Sequence, residues 1–167
     1  VYILGIGEEK HSTQIENAFR VLAFDTKKYW KNSIIVDVNP LSEAEIRKAT
    51  IGIKMADYQI GQYKSKAEDS QTVDVKFVHE TDVTSLIQEG FETGETVNRI
   101  KALVDAPANV KTPEYLGQWA QNSAKINNYS CQVLHEEDLE KEGFKALLSV
   151  GQTSVNRPVA IVTEYRG

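Results

Sequence analysis

An α/β fold is predicted by the way two periodicities alternate along the chain. Short apolar, β-branched runs such as Ser33–Val38, Tyr129–Leu134 and Val159–Tyr165 are separated by stretches whose apolar residues recur every three or four positions. The order reads β-α-β-α-β-α and then α-β-α-β, with no repeat or low-complexity tract interrupting it. That alternation predicts mostly parallel strands between two layers of helices.

Val1-Tyr-Ile-Leu-Gly-Ile-Gly7 is an apolar run ending in glycines, without an initiating methionine, and reads as a strand already under way. Gly5 and Gly7 resemble part of a phosphate-binding turn. Lys10 stands where a third glycine belongs, and no acidic residue ends a clear second strand about 20 residues on, so an ordinary strand-to-helix turn is the better reading. Ile15, Ala18, Phe19, Leu22 and Ala23 give one apolar face to a helix from Thr13 to about Tyr29, with Trp30 completing its contact. The strand Ser33–Val38 follows and ends at Asn39-Pro40.

Ser42-Glu-Ala-Glu45 is a capping box, with Leu41 and Ile46 placed for a hydrophobic staple. The stripe Ile46, Ala49, Ile53, Ala56, Ile60 extends that helix toward a stop at Gly61. Val73, Val75 and Phe77 alternate with Asp74 and Lys76, as in a half-buried strand. Helical spacing resumes at Val83, Leu86, Ile87, Val97, Ile100 and Val104. Gly90 and Gly94 fall between, each costing about 1 kcal/mol against alanine, which predicts either one softened helix or two with a kink.

Lys101-Ala-Leu-Val-Asp-Ala-Pro-Ala-Asn-Val-Lys-Thr-Pro-Glu-Tyr-Leu116 is a junction. Pro107 breaks one helix, and Thr112-Pro113-Glu114 opens another with an N-cap, a proline where its missing N–H costs nothing, and a negative charge in the first turn. Leu116, Trp119, Ala120 and Ala124 give the new helix its buried stripe, and Asn127-Asn128 ends it. A short helix opens at His135-Glu-Glu-Asp138 and closes at Gly143.

Composition bounds the function. Apolar residues make up 41% and charged residues 26%, as in an ordinary folded protein, and no run approaches the ~20 apolar residues of a membrane span. The net charge of −5 is spread over both halves, which disfavours binding driven by phosphate neutralisation, although a local basic patch can hide in that average. Cys131 is the single cysteine, so no internal disulfide can form, and a reducing cytoplasm fits.

Residues able to carry chemistry are scattered. His11, His79 and His135 have no metal-ligand spacing, and Glu136-Glu137-Asp138 reads as a solvated helix start. Cys131 reads as a buried structural thiol, while Ser149, Thr153 and Ser154 read as a polar turn. Gln62–Lys66 reads as an exposed loop. These residues yield no candidate catalytic, metal or substrate-binding site.

The 101–116 run, followed by Leu139-Glu-Lys-Glu-Gly-Phe-Lys-Ala-Leu-Leu-Ser-Val-Gly-Gln-Thr-Ser154 and then 158–167, resembles the start of the catalytic domain of the leucyl aminopeptidase (cytosol aminopeptidase) family. Ala102, Leu103, Asp105 and the pair Phe144-Lys145 depart from the family pattern. The resemblance implies a macro-like α/β domain over 1–81 with its first part missing, a linker helix over 82–106, and a truncated peptidase domain over 107–167. It further implies a cytoplasmic, hexameric parent enzyme that removes N-terminal amino acids from peptides with two divalent ions, manganese or zinc. The family's metal and catalytic motifs, Gly-Lys-Gly-x-x-x-Asp and Asn-Thr-Asp-Ala-Glu-Gly-Arg, do not occur in this sequence, so the segment alone is expected to be inert. The rival expectation is a stand-alone oligomerisation or nucleotide-like ligand-binding module, with ADP-ribose as the ligand a macro-like fold implies. Membrane and nucleic-acid partners are not expected.

Overall fold

A computed structural model describes residues 1–6, 12–30, 33–59, 63 and 73–166. The chain divides into two compact units, Val1–Asp105 and Ala106–Gly167.

In the first unit, α1 (Ser12–Thr26) runs into a single 3-10 turn, followed by β1 (Ser33–Asp37), α2 (Glu43–Met55), β2 (Asp74–Val78) and α3 (Thr84–Asp105). β1 and β2 pair in parallel, Ser33 opposite Asp74 through Asp37 opposite Val78. Both strands alternate between exposed and half-buried positions. Ile34, Val36, Val75 and Phe77 turn toward a core built from Ile15, Phe19, Ala23, Trp30, Ala49 and Ile53 of the helical layer. The opposite face, with Ile35 and Val78, is exposed. Among the described residues the sheet is therefore covered on one face only, where the alternation of elements predicts two helical layers.

The start of α2 is fixed locally, as the sequence predicts. Ser42 N–H donates to Glu45 Oε2 at 2.7 Å, and Leu41 packs with Ile46 in a second apolar cluster. Its end is not. The helix stops at Met55, short of Gly61, where Asp57 N–H donates to the Lys54 carbonyl at 3.1 Å and Asn98 Nδ2 of α3 donates to the same oxygen at 2.8 Å. The continuing helical turn would need that oxygen for the amide of residue 58. Ile60, Gly61 and all of Gln62–Lys66 except Tyr63 lie outside the described residues.

α3 is one continuous helix of 22 residues, and its glycines are not soft points. Gly90 and Gly94 are buried where α2 crosses. A Cβ on Gly90 would stand 1.9 Å from Thr50 Oγ1, and one on Gly94 would stand 2.7 Å from Lys54 Cβ. Gly52 of α2 is in the same position against α1, 2.1 Å from the Glu16 carbonyl oxygen. Absent side chains let three helices close on one another. Ion pairs flank the contacts, Lys48 with Glu16 at 3.1 Å and Lys54 with Glu95 at 3.1 Å, each worth at most about 1 kcal/mol at such exposure.

The first residues depart from expectation. Residues 1–6 form no strand; Leu4 packs on the core while Val1 and Ile3 are exposed. β-propensity supplies a strand only where a neighbouring strand takes up its backbone hydrogen bonds, and β1 pairs with β2 alone among the described residues.

The second unit contains α4 (Pro113–Asn127), β3 (Ser130–Leu134), α5 (Glu136–Lys141), α6 (Lys145–Gly151) and β4 (Ala160–Glu164). Thr112 Oγ1 accepts from Tyr115 N–H at 3.2 Å, and Asn128 ends α4 in the left-handed region at φ 54°. Gly143 closes α5 at φ 77°. β3 and β4 pair antiparallel, Ser130 opposite Glu164, against the parallel expectation. Two helical segments separate them, and α6, which begins at Lys145, occupies part of what reads as a polar turn in the sequence.

Candidate functional site

An open groove of about 970 Å³ lies in the first unit. Its walls are the end of α1 with the turn that follows, the end of α2, and the C-terminal half of α3. Phe24, Met55, Val97, Ile100 and Val104 supply an apolar lining, and Phe24, Ile100 and Val104 keep much of their surface in solvent. Arg20, Lys27, Lys28 and Lys101 place four cations around it. Among the described residues Asp105 is the one carboxylate in the lining, and it accepts a hydrogen bond from the Tyr58 hydroxyl.

The charges are arranged by packing. Lys27 pairs with Asp57, and Lys28 lies 5.0 Å from the Tyr29 ring centroid. Arg20 donates to Asn17 Oδ1 at 2.6 Å. Lys101 Nζ stands 5.7 Å from the Tyr58 ring centroid, and partial burial, aided by the positive Arg20, holds its ammonium below the ordinary lysine value. Partial burial, the hydrogen bond to Asp105 and the negative charge of Asp105 push the Tyr58 hydroxyl up to about 12. The periodicity of α1 and α3 identifies their apolar stripes, but nothing in it places Arg20, Lys28 and Lys101 around one groove. That juxtaposition comes from how the helices pack.

The residues singled out by chemistry in the sequence do not form a site. His79 lies in the exposed segment after β2, where its Nδ1 accepts from Thr81 N–H at 3.1 Å. His135 precedes α5 in the other unit, its Nδ1 3.6 Å from Glu114 Oε2. His11 lies outside the described residues. Glu136 is 3.4 Å from Arg157 Nη1, and Asp138 accepts from His135 N–H at 3.4 Å, so the acidic cluster is engaged at a helix start. Ser149 lies within α6 and donates to the Ala146 carbonyl at 2.8 Å; Ser154 Oγ accepts from Asn156 N–H at 3.1 Å. Cys131 is on β3 as its pattern predicts but is half-buried, not buried, because it borders a small concavity shared with Lys125 and Tyr129. Among the described residues no three His, Cys, Asp or Glu side chains gather where they could hold a metal ion, and no helix is long and apolar enough to cross a membrane.

Comparison with known proteins identifies the chain where its own chemistry does not. Residues 98–167 match the catalytic domain of the cytosol aminopeptidase family. A probable cytosol aminopeptidase from Syntrophotalea carbinolica is 35% identical over 136 residues, covering 77% of this chain and 27% of that protein. Another from Persephonella marina is 28% identical over 178 residues, covering 99% of this chain and 36% of that protein. The chain thus spans about a third of the length of the curated relatives it matches. Among solved structures, the bottromycin maturation enzyme BotP superposes with a TM-score of 0.84 at 19% identity, covering 98% of this chain and 36% of that one. A mutant of tomato leucine aminopeptidase superposes with a TM-score of 0.78 at 17% identity, covering 93% and 33%. At those identities the superpositions speak for the fold, and it is the sequence matches, running from the first unit through the junction into the second, that decide membership: the chain belongs to the cytosol aminopeptidase family.

Proposed function

We propose that this chain is the N-terminal portion of a leucyl aminopeptidase that hydrolyses N-terminal amino acids from peptides. Within it, residues 1–81 form a macro-like α/β domain, 82–106 the linker helix, and 107–167 the start of the peptidase domain. The observation that carries the reading is the match of residues 98–167 to the family's catalytic domain, which begins within α3. The relatives' names supply the activity. The described residues do not fit a metal centre, and the family's metal and catalytic motifs do not occur in the sequence. In this reading the two divalent ions, manganese or zinc, are bound by other parts of a cytoplasmic, hexameric enzyme, and the 167-residue chain is inactive by itself. Manganese is supported by a structure of the fold neighbour BotP in complex with Mn.

The test is manganese- or zinc-dependent release of leucine from a leucyl amide, run in parallel on this chain and on the full product of its gene. Activity in the full product alone is expected. Release by the chain itself would mean that its own residues hold the catalytic centre, and silence from both would overturn the peptidase assignment.

A further inference from the structure

We propose that the groove between α1, α2 and α3 binds an amphipathic anion, specifically a medium-chain aliphatic carboxylate free in solution. Charge complementarity carries the proposal. In a chain whose net charge is −5, Arg20, Lys28 and Lys101 line one concavity together with Lys27, which is paired with Asp57, and among the described residues the lining holds one carboxylate, Asp105, whose oxygen accepts from Tyr58. Lys101 is half-buried over the Tyr58 ring, so its ammonium is poorly hydrated and gains more from an arriving anion than a fully solvated lysine would.

The apolar lining selects the body of the ligand. Met55, Val97, Ile100 and Val104 are aliphatic, and Phe24 offers a largely exposed ring. Among the described residues Gln59 contributes the single side-chain amide of the lining, too little to read the polar edge of a nucleobase. The walls are mainly helices, whose interior backbone groups are spent internally, and at the end of α2 the carbonyls of Gly52, Ile53, Lys54 and Met55 accept from the amides of Ala56, Asp57 and Tyr58 in the turn that follows. An extended peptide would lose hydration of its own amides there without replacement, whereas an alkyl chain has none to lose. The volume of about 970 Å³ lies in the range of roughly 300–1,000 Å³ typical of small-molecule sites. This site is independent of peptide hydrolysis and does not rest on the proposed activity.

Calorimetric titration of the 167-residue chain with decanoate below its micelle concentration tests the site, with decanol and adenosine monophosphate titrated alongside. Saturable decanoate binding is expected, with decanol and the nucleotide at least about tenfold weaker. Lys101→Glu and Phe24→Ser should each weaken decanoate by about tenfold, while Lys141→Glu on α5 leaves it unchanged. Lys28→Glu, at an exposed position, serves as a second charge variant if Lys101→Glu disturbs the far-ultraviolet circular dichroism. Absence of saturable heat, decanol binding as tightly as decanoate, tighter binding of the nucleotide, or indifference to the folded charge variants would each overturn the proposal.

Discussion

Tyr58 and Asp105 show what a single side-chain contact does and what it leaves to measure. The Tyr58 hydroxyl is held protonated by partial burial and by the carboxylate it donates to, with its value raised to about 12 from 10.0. A value raised by folding means that the neutral form is favoured in the native state. The contribution to stability is therefore complete below the unfolded value near 10 and fades as pH rises through the folded one. The phenolate absorbance lost in Tyr58→Phe should titrate near pH 12 in the native chain and move down in Asp105→Asn; no movement would remove Asp105 as a cause. Thr112 makes the complementary case, because its role is legible in the sequence: Thr-Pro-Glu specifies a helix start, and Oγ1 accepts from Tyr115 N–H. Thr112→Ala should cost about 1 kcal/mol in denaturant unfolding. The Tyr58 contact has no local signature, since its partner lies 47 residues away.

At the scale of elements, glycines give the sharpest test. Gly52, Gly90 and Gly94 sit where helix backbones approach too closely for a Cβ. In an exposed helix the change to alanine would stabilise by about 1 kcal/mol. Gly52→Ala should instead destabilise by about 1–3 kcal/mol or more, because the atom it meets is backbone and cannot rotate away. Equilibrium unfolding gives the sign directly, and a stabilised Gly52→Ala would mean that α1 and α2 do not pack so closely. Sequence reading places these glycines inside helical patterns but assigns Gly90 and Gly94 a loss of stiffness, because spacing along one helix carries no information about what lies across from it. The capping box at Ser42 is local and is read correctly. The end of α2 is missed, because Asn98 shares in closing it from another helix.

For the molecule as a whole, burial is unequally divided. Among the described residues both apolar clusters of buried residues belong to the first unit, whereas in the second Ala120, Ala124 and Leu139 are buried while Val150, Val155 and Val162 are exposed. Local opening is governed by how much apolar surface a segment buries. Native-state hydrogen exchange of the chain should therefore show amides in the middle of α1 and α2 better protected than those in α4 and α5. Equal protection would show that the second unit draws stability from more than the burial described.

The sequence by itself determined where most helices and strands lie, how two of the helices begin, the α/β class, and through ordered blocks of residues the family. Those properties depend on neighbours within a turn or two, or on residue order alone. Tertiary structure decided the antiparallel pairing of β3 with β4, the single face of the first sheet that is covered among the described residues, the buried glycines, and the gathering of Arg20, Lys28 and Lys101 around one groove. Each of these depends on which residues meet across long separations, and helical or strand periodicity records only which face of an element is buried.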